Sequence, residues 1–75
     1  MTPRPSVELR PILEAVERDD PAEASALLRR AEYESFYKRG DRIAGELAYI
    51  RWRLEGGDRA GAEDALRRLV ERSSR

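Results

Sequence analysis

Seventy-five residues carrying 15 basic and 15 acidic side chains, with no net charge, make one small domain spanning 1–75; at this size only about 60% of the unfolded surface can be buried. The chain has no Cys and no His, which excludes a disulfide framework, thiolate chemistry, the usual zinc sites and histidine proton relays. No apolar run approaches the ~20 residues of a membrane span, and Met1-Thr2-Pro3-Arg4-Pro5 leads into no apolar signal segment, so a cytoplasmic protein with no membrane partner is expected.

In chain order, the first predicted helix covers about 7–18, with a single apolar stripe of Leu9, Ile12, Leu13 and Val16. Pro11 is its weak point. With Ser6 as N-cap, Pro11 falls one position too deep, so the first turn should be distorted or absent. Asp20, Pro21 and Glu23 supply an N-cap, an N1 proline and the acid of a capping box, which starts a second helix at about 21–39. One stripe of that helix is Ala24, Leu27, Leu28 and Ala31; Ala22, Ala26, Tyr33, Phe36 and Tyr37 lie nearly opposite. Gly40, behind Lys38 and Arg39, has the place of a C′ glycine after two cations. A third helix follows at about 42–55, with Ile43, Leu47, Ile50 and Leu54 on one side and Gly45, Ala48, Tyr49 and Trp52 on the other. Gly56-Gly57 stops it, and Asp58 caps a fourth helix at about 59–73, whose one apolar stripe is Ala62, Ala65, Leu66, Leu69 and Val70. No stretch alternates with the period of a strand.

A shift of 38 residues lays segment 8–35 over 46–73, and eleven of the 28 pairs are identical, among them Leu9/Leu47, Ile12/Ile50, Asp20/Asp58, Ala24/Ala62 and Leu28/Leu66. Ordinary residue frequencies give about three by chance. The pattern reads as a duplicated helical hairpin, with unit one at about 7–39 and unit two at about 42–73. One-faced outer helices and two-faced inner helices predict an all-α fold of two antiparallel hairpins stacked in series. In a closed four-helix bundle every helix needs only one inward stripe.

The segment Asp19-Asp20-Pro21-Ala22-Glu23-Ala24 with Leu28 and Ala31, and Gly57-Asp58-Arg59-Ala60-Gly61-Ala62 with Leu66 and Leu69, resemble the second helix of a tetratricopeptide repeat. The first-helix signature of that family is missing, and the period is 38 residues rather than its usual ~34. The resemblance implies a protein-binding scaffold whose groove is lined mainly by the first helix of each pair.

The strongest candidate site is aromatic: Tyr33, Phe36 and Tyr37 at the end of the second helix, and Tyr49 and Trp52 between Arg51 and Arg53 on the third. Aromatics beside arginines are the usual anchors of protein interfaces; the competing expectation is that these rings pack between the second and third helices. The partner is another protein or a second copy of the chain, because small domains without staples often gain stability by dimerising. The alternative is a nucleic-acid-associated accessory factor using Arg51, Arg53, Arg59, Arg67, Arg68, Arg72 and Arg75. Zero net charge and the neighbouring Glu55, Glu63, Asp64 and Glu71 weigh against it.

Arg39-Gly40-Asp41 spells an adhesion tripeptide, but it is also the cap pair required at that point. The adjacent acids Asp19-Asp20 and Glu63-Asp64, with Glu32 and Glu34, are the only catalytic material. They fall at helix starts or on polar faces, without a phosphate loop or a metal-ligand spacing, so no enzyme, cofactor or metal site is expected. Asn and Gln are absent, and 14 of the 15 basic residues are Arg, a bias that fits heat adaptation as well as a GC-rich genome.

Overall fold

Two residues held at positive φ, Asp19 (62°) and Gly57 (93°), turn the chain at equivalent points of its two halves. The computed structural model describes residues 9–39 and 43–73. Over these it places α1 at Arg10–Glu17, α2 at Pro21–Tyr33, α3 at Ile43–Glu55 and α4 at Arg59–Ser73, with a π-helical segment, Glu34–Arg39, continuing α2. There is no strand among the described residues.

α1 starts at Arg10, later than its apolar periodicity implies, with Leu9 as an N-cap that makes no side-chain cap bond. This start resolves the problem of Pro11, which now lies within the first turn, where a missing N–H costs no helical hydrogen bond. α2 and α4 begin on matching aspartates. Asp20 Oδ1 accepts from the Glu23 N–H at 3.2 Å, and Asp58 Oδ1 accepts from the Gly61 N–H at 3.0 Å. The capping box expected at Asp20 is only half made, because the Asp20 N–H donates to the Ala15 carbonyl at 2.9 Å instead. That bond belongs to a Schellman turn. In it the Asp19 N–H donates to the Val16 carbonyl at 3.0 Å; its counterparts in the second hairpin are Gly57 to Leu54 at 3.1 Å and Asp58 to Arg53 at 2.9 Å. The cap proposed at Gly40 and Asp41 lies outside the described residues.

Each helix turns one stripe inward. The core comprises Leu9, Ile12, Ala15 and Val16 from the α1 region, Ala24, Leu28 and Ala31 from α2, Leu47, Ile50 and Leu54 from α3, and Ala62, Leu66 and Leu69 from α4. Residues related by the 38-residue shift share their burial, as in Ile12/Ile50, Ala24/Ala62 and Leu28/Leu66. Consecutive helices pack together in chain order, α1 on α2, α2 on α3 and α3 on α4, which makes the fold an all-α stack. The stack also curls until α1 meets α4. There Arg59 Nη1 donates to the Val16 carbonyl at 3.2 Å, and Arg67 pairs with Glu17 at 2.8 Å.

Two sequence expectations need correction. The second apolar faces of α2 and α3 are not used up by neighbouring helices, because the inward stripes already bring all four elements around one core. α2 also does not continue to its end as a regular α-helix. It widens at Glu34 into the π-helical segment, a run of Ser, Phe and Tyr with mediocre α-helix propensity. Ser35, within this segment, is wholly buried, and its hydroxyl has no partner among the described residues.

The paired turns generate a prediction of opposite signs. Asp19→Gly should stabilise the fold by about 0.5 kcal/mol by relieving a left-handed non-glycine residue, whereas Gly57→Ala should cost about 1 kcal/mol. Urea unfolding of both variants checks it. Ser35→Ala should raise stability by about 1 kcal/mol in the same assay, since it removes a desolvated, unbonded hydroxyl and improves helix propensity.

Candidate functional site

All five aromatic side chains of the chain are exposed: Tyr33 57%, Phe36 64%, Tyr37 68%, Tyr49 49% and Trp52 68%. The expectation that they fill the contact between α2 and α3 is therefore overturned. Aliphatic residues and alanines occupy that contact, and the rings stand outside it as two groups.

The first group crowns the end of α2. Tyr33 and Tyr37, one helical turn apart, have ring centroids separated by 4.8 Å, and Phe36 meets Tyr37 edge-on, also at 4.8 Å. These three rings line an open groove of about 550 Å³ whose opposite wall is Ala44, Gly45 and Arg51 of α3. The second group lies along α3. Tyr49 and Trp52 are 6.4 Å apart between centroids, and the Arg53 guanidinium sits 5.4 Å from the Tyr49 centroid while its Nη1 donates to the Tyr49 hydroxyl at 2.9 Å. Arg53 also forms an ion pair with Asp58, the cap of α4. Gly61 makes room for this pair, since a Cβ there would run into the Asp58 carboxylate and the Arg53 guanidinium.

The two arginines flanking Trp52 are thus engaged within the molecule. Arg51 is half-buried and bridges α3 to α2. Its Nε donates to Glu32 Oε2, its Nη2 donates to Glu32 Oε1 at 3.3 Å, and its Nη1 donates to Glu55 Oε1 at 3.3 Å. Glu55 in turn accepts from Ser25 Oγ and, at 3.1 Å, from Arg29 Nη2. Ser25, Arg29 and Glu32 follow a helical stripe on α2, so this polar clasp runs along the α2–α3 seam beside the aliphatic core. Sequence spacing finds the pairs within one helix, such as Arg51–Glu55 and Arg68–Asp64. The pairs between helices depended on knowing which helices touch.

The remaining basic candidates are also partnered. Arg59 pairs with Asp19 and Glu63, Arg67 with Glu17 and Glu63, Arg68 with Asp64, and Arg72 with Glu46. Arg75 lies outside the described residues. Residues 1–37 hold eight acids and five bases and residues 38–75 seven acids and ten bases, giving −3 and +3. Glu32, Glu17 and Asp19 of the acidic half meet Arg51, Arg67 and Arg59 of the basic half, so this asymmetry is largely answered inside the molecule.

No helix among the described residues is long and apolar enough to cross a membrane. No family model, curated protein or solved structure matches the chain.

Three carboxylates are held below their ordinary range. Glu55 is lowered first by the Ser25 hydroxyl and then by the charges of Arg29 and Arg51. Asp58 is lowered first by the Gly61 N–H and then by Arg53, and Glu63 first by the hydrogen bond from Arg67. A carboxylate depressed on folding adds stability that is complete above its unfolded pKa, about 4, and disappears as pH falls through its folded value. Stability should therefore be flat from neutral pH to about 5 and decline below about 4.5. Glu55→Gln should make that decline shallower, as urea midpoints measured across the acid range will show.

Proposed function

We propose that the chain is a small tetratricopeptide-like module of two helical hairpins that works by binding protein, either another chain or itself, through the aromatic face of α2 and α3. The single observation carrying this reading is that every aromatic ring in a chain with little apolar material to spare stands in solvent. Single exposed apolar residues are ordinary, whereas a cluster of them marks an interaction surface. Tyr and Trp, which present a large rigid area at small entropic cost, are the residues that anchor protein contacts. The resemblance of the second helices supports the same reading, because α3, the first helix of its hairpin, would line the groove of such a scaffold.

Nucleic-acid binding requires arginines free to neutralise phosphates. Those of α3 and α4 named above are each engaged by a carboxylate, which favours the aromatic reading. Of the acids singled out in the sequence, Asp20 caps α2 and Asp19, Glu32, Glu63 and Asp64 pair with arginines.

The test is a benzophenone amino acid in place of Phe36, with the same group at Arg68 on the exposed side of α4 as control, irradiated in cells that make the chain. Adducts to protein, of the chain with itself or with a second species, are expected from position 36 and not from position 68. Adducts to nucleic acid alone, or none above the control, would overturn the proposal. An association found this way should change little between low and high salt, unlike phosphate binding.

A further inference from the structure

We propose that the occupant of the aromatic face is a second copy of this chain, docked through α3 against α3 in antiparallel register. The inference rests on the protein-binding reading above and specifies its partner. Its ground is a self-complementarity within one helix. On the outer face of α3, Gly45 and Trp52 are seven residues apart, two turns or about 10.5 Å. One is the smallest possible side chain and the other the largest. Nothing lies within 4 Å of the place where a Gly45 Cβ would stand, so the glycine is an open seat, while Trp52 projects as a knob with 68% of its surface free.

A two-fold axis passing between Ala48 and Tyr49 exchanges the two positions. Each Trp52 then lies over the partner's Gly45 and each Tyr49 against the partner's Ala48. A Trp52 seated there enters the groove walled by Phe36 and Tyr37, so one contact covers both aromatic groups. The charges obey the same exchange. Glu46 and Arg53 lie together on the flank of α3 that faces α4, as their pairs with Arg72 and Asp58 show. They too are seven residues apart. Antiparallel pairing brings each Glu46 within reach of the partner's Arg53, where the two would join the existing Arg72 and Asp58 pairs in one charge network. A closed dimer needs a surface of this isologous kind.

The aromatic area alone reaches the lower end of the standard range, about 600 Å² from each partner. At the 150–250 Å² of an aromatic side chain, the exposed fractions of the five rings amount to roughly 450–750 Å². A standard interface takes about 800 Å² from each partner, and Ala44 and Ala48 extend the patch.

The experiment is sedimentation equilibrium of the full chain from micromolar to millimolar concentration, paired with Trp52 emission, and repeated on Gly45→Gln and Trp52→Ala. Gly45→Gln replaces an exposed helical glycine with a better helix former, so urea unfolding should show a fold at least as stable while the seat is blocked. The expected result is a concentration-dependent dimer whose tryptophan emission shifts to the blue on association. Either substitution should weaken it at least about tenfold, as for a hot-spot residue. A chain that stays monomeric throughout would overturn the second-copy inference; adducts from position 36 to a different protein would then leave the protein-binding reading standing. A dimer indifferent to both substitutions would overturn the α3–α3 geometry.

Discussion

Among the described residues, four of the thirteen buried apolar side chains are alanines, and the other nine are Leu, Ile and Val. Helices held together by such residues approach closely. Ala24 and Ala62, both without accessible surface, hold equivalent places in α2 and α4. A core filled by such side chains is already close-packed, and adding a ring to it would overpack it. The surface chemistry of the protein is thus a consequence of its interior. What the core excludes is what the outside presents.

Around this core the charged residues act mainly as spacers and orienters. Exposed ion pairs contribute about 0–1 kcal/mol each, and their number here is no measure of stability. Their placement matters more. The Ser25–Arg29–Glu32 stripe, gripped by Arg51 and Glu55, fixes the rotation of α3 against α2. It thereby decides which residues of α3 face away from the core, and Gly45, Ala48 and Trp52 are the result. Burial of Leu47 and Ile50 from one side and this clasp along the edge leave α3 a single outward face.

The helices, their order and most of their ends could be read from the chain because capping chemistry is local. Asp20, Asp58 and Gly57 do in space what their types imply in sequence. The inward stripe was equally readable, since Ile12, Leu28, Leu47 and Leu66 recur at helical spacing. What could not be read was the fate of the second stripes on α2 and α3. Periodicity shows that a face is apolar, but not whether a neighbour covers it. The serial picture supplied neighbours for both faces, and the aliphatic core did not need them. The meeting of α1 with α4 was hidden for a related reason. Arg59 and Val16 are 43 residues apart, and no local rule connects an arginine to a carbonyl at that distance along the chain. The π-helical widening after Tyr33 has no signature in the sequence beyond indifferent propensities.

The meeting of α1 with α4 closes the two hairpins around one core. In an open solenoid each hairpin leaves a face for the next, and units can be added without disturbing those already present. Here the last helix returns to the first, and Arg59 satisfies a carbonyl at the end of α1. A third hairpin inserted between the two would have to part α1 from α4 and break the bond from Arg59 to the Val16 carbonyl. The two hairpins therefore share one core between them and leave no open seam where another unit could be inserted.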